Sequence, residues 1–193
     1  GWTPDMPLLD PFCGSGTIAI EAASIACGLV PGISRSFGFE KLLNFDRELW
    51  TELREDAKSE VNLHREVSIT ASDISSIVVR KAEANALRAG LGGLLESGNL
   101  KFSVCDARNV LPPTETPGII VANPPYGEQS TPRSATVGSM MRHVADNLKH
   151  NFAGWTAWML TSDRHLPGEM HLKEGRKTVL FNGPLECRFF KFD

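Results

Sequence analysis

The segment Asn123-Pro124-Pro125-Tyr126-Gly127 holds residue types that suit one kind of reaction. An exocyclic amine on a heteroaromatic base is a poor nucleophile, because its lone pair is delocalised into the ring. Two acceptors, the side-chain oxygen of Asn123 and the carbonyl of Pro124, can bind its two N–H groups. The lone pair is then free to face a sulfonium methyl. Consecutive prolines fix φ and stiffen the loop, which suits a near-attack geometry. Tyr126 is the only tyrosine in the chain, and its ring offers a surface on which an extruded base can stack. Asn123, Pro124 and Tyr126 are therefore the candidate catalytic residues. The plainer alternative is a Pro-rich turn after a strand.

A second constellation is Asp10-Pro11-Phe12-Cys13-Gly14-Ser15-Gly16-Thr17. Gly14 and Gly16 allow a tight turn and a close backbone approach to a ligand. The helix expected to follow points its N-terminal amides at the same place. Gly14-x-Gly16-x-x-Ala19 also matches a dinucleotide fingerprint, but that reading wants an acid about 20 residues further on. The acid at the end of the second strand, Asp73, comes much later. Asp73 can accept from both hydroxyls of a ribose; its alternative is a helix N-cap, a role open also to Ser75 or Ser76. In Cys105-Asp106-Ala107 the carboxylate can accept from an adenine amino group while a backbone amide reads a ring nitrogen. Nucleoside, adenine and sulfonium together describe S-adenosylmethionine as the expected cofactor.

Elements with alternating periods must position these groups. Strand-length apolar runs are expected at 7–10, 67–72, 100–105, 118–122 and 155–160, separated by helical patterns. Helices are expected at about 17–27, around Leu49, Trp50, Leu53 and Ala57 with Asp46 as N-cap, over Ile77 to Leu87 stopping at Gly90, and up to about Phe152. A loop is expected over 128–139. Residues 177–181 and 186–192 read as a closing hairpin around Asn182-Gly183-Pro184. The alternation argues for βαβ units and a mostly parallel sheet. Four consecutive strands end in Asp10, Asp73, Asp106 and Asn123, on the sheet edge where open α/β folds bind ligands. Trp50, Trp155 and Trp158 are assigned to packing and Asp163 to a turn.

Composition excludes several classes. The chain has 193 residues, 41% hydrophobic and 22% charged, enough for one domain with a sizeable core. No apolar stretch approaches the roughly 20 residues that a membrane helix needs. Cys13, Cys27, Cys105 and Cys187 fit neither a zinc pattern nor a disulfide framework, and the scattered histidines give no metal-ligand spacing. Reduced thiols and no leader suggest a cytoplasmic protein with no membrane or metal partner. The formal charge of −3 is low for a domain that grips nucleic acid unaided. Gly1 rather than Met opens the chain, and a strand begins almost at once. A C-terminal fragment of a longer protein is therefore expected, with a boundary just before Trp2.

The Asp10–Thr17 and Asn123–Gly127 segments together resemble the class I RNA methylases that follow a THUMP domain. Among them the similarity is to the catalytic domains of bacterial 23S ribosomal RNA guanine-N2 methyltransferases. The stretch Phe37-Gly38-Phe39-Glu40-Lys41 to Asp46-Arg47-Glu48-Leu49-Trp50 and the tail Phe181–Phe192 extend the resemblance over nearly the whole chain. It implies a Rossmann-like fold with a seven-stranded, mostly parallel sheet, helices on both faces and an antiparallel C-terminal hairpin. It implies cofactor roles for Asp10, Phe12, Cys13, Gly14, Gly16, Asp73, Asp106, Ala107 and Asn123, and ribosomal RNA as partner, bound mostly through an upstream THUMP region. After Glu128 the family usually continues Arg-Leu-Gly. Here Gln129-Ser130-Thr131 stands instead, beside the expected substrate. Three other readings remain open: an N6-adenine DNA methyltransferase, a protein glutamine N5-methyltransferase, and a binding fragment without catalysis.

Overall fold

The computed structural model describes residues 1–33, 35–125 and 134–193, and of residues 134–136 the backbone alone. The strands are β1 (Leu8–Asp10), β2 (Ile69–Asp73), β3 (Leu100–Val104), β4 (Ile119–Ala122), β5 (Thr156–Thr161), β6 (Arg176–Asn182) and β7 (Leu185–Phe192). The helices are α1 (Thr17–Cys27), α2 (Arg47–Ser59), α3 (Ser76–Arg88), α4 (Gly92–Ser97), α5 (Ser134–Asn151) and α6 (Leu166–Met170), with a 3-10 turn at Gly38–Lys41. They form a seven-stranded sheet in the order β3-β2-β1-β4-β5-β7-β6. The first five strands run parallel, and β7 is antiparallel to both β5 and β6. The expected class I methyltransferase architecture is what the chain adopts.

Each face of the sheet carries its own apolar layer. On one face Leu8, Ala19, Ala23, Ile69, Ala71, Ala86 and Leu100 pack with α1, α3 and α4. On the other, Leu9, Ile120, Met141, Val144, Met159 and Phe190 pack with α5 and α6. In β5 the residues alternate between buried and half-buried, as a period of two requires. α1 ends at Gly28, whose φ of 71° lets the chain leave the helix. α2 begins at Asp46, whose side chain accepts from the Leu49 amide at 3.0 Å, the expected cap. The closing hairpin turns through Gly183 at φ 60°, between the paired Asn182 and Leu185.

Several local expectations shift. α5 starts at Ser134, about five residues before the expected end of the loop. Thr136, Gly138 and Ser139 are weak helix formers, but Val137, Met140 and Met141 continue the stripe of Val144, Ala145 and Leu148 against the core. Burial overrides propensity there. α4 and α6 were not expected. Two glycines open α4, yet Leu91 and Leu94 are fully buried and hold it in place. Pro167 sits in the first turn of α6, where its missing N–H costs nothing. Trp155 packs edge-on against Phe152 at 5.5 Å but precedes β5 rather than lying in it, and Trp158 is half-buried, stacked on Phe189 at 4.9 Å. Trp50 joins Phe37 and Phe39 in a separate aromatic cluster, and α2 buries no residue fully.

Candidate active site

The four parallel strands β3, β2, β1 and β4 end side by side. Their ends place Asp106, Asp73, Asp10 and Asn123 in a row along the carboxyl edge. Adjacent strands lie about 4.8 Å apart, so the row spans about 14 Å. Between β1 and β4 the chain reverses its direction of travel across the sheet. That is the switch point at which open α/β sheets leave a crevice for ligands.

The glycine turn leads from β1 into α1. The Cys13 amide donates to the Ser72 carbonyl at 2.9 Å, tying the turn to β2. From α3, Asn85 Nδ2 donates to the Ser15 carbonyl at 2.8 Å. The two glycines differ in purpose. At Gly16, φ is 90°, and a Cβ would lie 2.9 Å from Ala82 Cβ, so close packing of α1 on α3 requires glycine. At Gly14, φ is 50°, and a Cβ would meet nothing within 4 Å. The bare backbone at Gly14 thus faces open space.

Asp10 is the most deeply buried acidic group among the described residues. It is 1% exposed. Oδ1 accepts from the Phe12 amide at 3.1 Å, while Oδ2 is buried without a hydrogen-bond partner. Burial pushes its carboxyl up to about 7; the Phe12 amide pulls the other way, and the Asp73 carboxylate adds repulsion. Such an orphaned oxygen calls for a donor, and a cationic one would restore the ionised form.

Asp73 lies just above. Oδ2 accepts from the Gly14 amide at 3.1 Å and Oδ1 from the Ser75 amide at 2.9 Å. Ser75 holds the N-cap position of α3 without a capping hydrogen bond from its side chain, and Asp73 Oδ1 secures the Ser75 amide just ahead of the helix. Its carboxylate joins the glycine turn to the end of β2 and keeps lone pairs for a further donor.

Asp106 is engaged more heavily. Arg108 approaches both carboxylate oxygens, with Nε 3.0 Å from each, and its amide donates to Oδ1 at 2.9 Å. Hydrogen bonds from Arg108 hold the Asp106 carboxyl below its usual range, against a smaller effect of burial. Ala107 is buried, and its carbonyl accepts from Asn147 of α5 at 3.3 Å; Asn147 also reaches the Val110 carbonyl at 2.8 Å. Sequence reasoning missed Arg108, Asn147 and Asn85. Their only signal is a polar residue on a helix or turn whose neighbours are buried.

Phe12 packs against the core layer under α5. The Cys13 thiol is buried, and that burial, with the nearby Asp10 and Asp73 carboxylates, pushes it up to about 12. It is therefore no nucleophile at neutral pH. Asn123 follows the last residue of β4 and is exposed, while Pro124 is buried behind it. Tyr126 lies outside the described residues, as do residues 128–133 of the expected loop. Asp163 takes the expected turn role, accepting from the His165 amide at 2.8 Å. Among the described residues no group of three or more His, Cys, Asp or Glu is placed to hold a metal ion. Nor is any helix there long and apolar enough to cross a membrane.

Comparison with known proteins agrees with this architecture. Ribosomal RNA large subunit methyltransferase K/L of Shewanella baltica (strain OS155) is 41% identical over 197 residues, covering 98% of this chain and 26% of the relative. The chain thus spans about a quarter of the length of the curated relatives it matches. The structure of SMU.472, taken to be a methyltransferase and complexed with SAH, superposes with a TM-score of 0.87 at 27% identity, covering 100% of this chain and 49% of that one. A predicted N6-adenine-specific DNA methylase from Listeria monocytogenes superposes with a TM-score of 0.87 at 30% identity, covering 100% and 48%. The family model described as UPF0020, RMKL-like, methyltransferase domain, matches residues 1–191, so the chain belongs to that methyltransferase family.

Proposed function

We propose that this chain is the catalytic domain of a ribosomal RNA methyltransferase that uses S-adenosylmethionine and methylates the exocyclic N2 amine of a guanine in 23S ribosomal RNA. The observation that carries the reading is the row Asp106, Asp73, Asp10 and Asn123 at the switch point, with the open backbone of Gly14 between. The name of the Shewanella relatives supports the ribosomal RNA substrate, and the SAH complex of SMU.472 supports the cofactor.

The residues fit that cofactor. Asp10 Oδ2 lacks a donor, which the methionine ammonium would supply. Asp73 would accept from the ribose, and Asp106 from the adenine amine once Arg108 withdraws a donor and frees a carboxylate lone pair. When bound, the cofactor supplies an electrophilic methyl on sulfur. Asn123 and the Pro124 carbonyl hold the target amine by its two N–H groups. They hold its lone pair out of conjugation with the ring and facing the methyl, and the proton that the methylated amine sheds passes to solvent. Tyr126 is proposed to stack on the target base. Because the Cys13 thiol is buried and held protonated, no covalent intermediate on it is expected.

Most of the grip on RNA is proposed to come from outside this chain, as its charge of −3 suggests. Four free cysteines fit a reducing, cytoplasmic setting. The likeness to a predicted DNA adenine methylase keeps the chemistry and changes the base, since both amines fit between an amide oxygen and a carbonyl. Nucleoside mass spectrometry of ribosomal RNA from a strain lacking the full-length protein separates the two. The expected result is loss of N2-methylguanosine at one site. Unchanged N2-methylguanosine with lost N6-methyladenosine would show that adenine is the target.

A further inference from the structure

The β6–β7 hairpin outruns the sheet. The last residue of β5, Thr161, pairs with Arg188, and nothing of β5 accompanies residues 185–187. Beyond that point β6 and β7 continue alone as a two-stranded ribbon to Asn182 and Leu185. β7 is antiparallel to β5, so the ribbon rises past the carboxyl edge, the edge that carries Asn123. The β4–β5 register puts Asn123 level with Leu160, and the pairing continues through Phe189 to Thr178. Phe181 stands three residues further along β6. It is therefore about 14 Å across from Asn123 and about 10 Å above its level.

The ribbon's chemistry is unusual for an edge. Phe181 is 69% exposed and Val179 51% exposed, and both share one face with Glu186 and Arg188. That face continues into Met159 and Phe190, the side covered by α5 and α6. Arg164, in the turn after β5, and Arg188 both donate to Glu186 Oε1, at 2.9 and 2.6 Å. One carboxylate thus holds two guanidiniums close together, leaving an excess positive charge fixed in place. Arg164 is 67% exposed. On the face that carries Phe181, Arg188 and, nearer the sheet, Lys177, with Arg164 from the neighbouring turn, stand against Asp163 and Glu186, although the whole chain is acidic.

Resting on the ribosomal RNA reading above, we propose that this ribbon is a docking platform for the unpaired RNA strand flanking the target base. Phe181 stacks on a neighbouring base, and the Arg164–Arg188 pair holds a phosphate beside it. An exposed aromatic set among guanidiniums is how sequence-tolerant single-strand grooves are built. An apolar protein face would leave the positive charge unmatched; a polyanion matches it. The distance to Asn123 is that of a few nucleotides, so the ribbon acts on strand position and not on the reacting amine.

The test uses the full-length protein, unmodified 23S ribosomal RNA and the doubly substituted Phe181→Ala, Arg164→Ala variant. Both side chains are exposed, and thermal unfolding checks that the fold persists. KM for RNA should rise about 10-fold or more, with kcat at saturating RNA and affinity for S-adenosylhomocysteine within twofold of the parent. Phe181→Trp, which keeps a stacking surface, should retain the parental KM. Unchanged KM in the double variant overturns the proposal, and so does a variant whose only change is in self-association, which would make the ribbon a protein interface. If the parent itself methylates no RNA, the underlying reading has failed; if the parent is active and the variants match it, only the ribbon proposal has.

Discussion

Replacing Asn123 with alanine should slow methyl transfer by a factor on the order of 30 to 1,000, corresponding to about 2–4 kcal/mol in the barrier. The estimate follows the loss of one preorganised hydrogen-bonding group from a catalytic site. Asn123 is proposed to hold one of the two N–H groups of the target amine, so its loss lets the amine rotate and conjugate with its ring. The proposed cofactor row Asp106, Asp73 and Asp10 does not depend on that side chain. Affinity for S-adenosylhomocysteine should therefore change less than about threefold, while kcat falls and KM for RNA moves little. Single-turnover kinetics with the full-length protein make the separation. Normal turnover by the variant would remove Asn123 from the mechanism, and a matching loss of cofactor affinity would move it to the cofactor site.

Asp10 should show a conflict between stability and function. Its carboxyl titrates near 7 in the folded chain and near 3.8 when unfolded. The native state therefore favours the proton. That stabilising preference is complete below about pH 4 and is lost as pH rises through 7. Above neutrality an ionised carboxylate is trapped with one oxygen unpartnered. Asp10→Asn removes the charge and retains an acceptor for the Phe12 amide, although its amide nitrogen still lacks a partner. The variant should gain about 1–3 kcal/mol of stability at pH 8 and almost nothing at pH 4. Urea unfolding at the two pH values reads this directly. The same substitution should weaken S-adenosylmethionine binding by the full-length protein on the order of 10- to 100-fold, because a charged partner for the methionine ammonium is gone. In the parent, cofactor affinity should fall as pH drops below 7 and protons compete for Asp10. A variant that is destabilised at pH 8 and binds cofactor normally would contradict both halves.

The parallel part of the sheet was legible because its first four strands read as apolar runs ending in or just before a polar residue. Asp10, Asp73 and Asn123 mark those ends both in the chain and in the fold. α1 was found to its last residue because Gly16 and Gly28 punctuate it at both ends. The start of α5 was hidden because Thr136, Gly138 and Ser139 read as loop residues, while the core contacts of Val137, Met140 and Met141 carry the helix through them. The site was legible in its residue types and less so in their state. Nothing in one dimension shows that Arg108 folds back on Asp106, that Asn85 and Asn147 pin the loops after β1 and β3, or that Oδ2 of Asp10 is left without a partner. Those facts depend on burial and on residues far apart in sequence.

The central claim is that this chain's carboxyl edge delivers a methyl group to a base amine in RNA. It is tested most directly by supplying S-adenosylmethionine with an isotopically labelled methyl carbon to the full-length protein and unmodified 23S ribosomal RNA. Digestion to nucleosides and mass spectrometry then locate the label. The account predicts label in N2-methylguanosine, stoichiometric with S-adenosylhomocysteine formed and abolished or strongly slowed by Asn123→Ala. Label on a ribose hydroxyl or a ring carbon, or in a glutamine of an added protein with none in RNA, would contradict it.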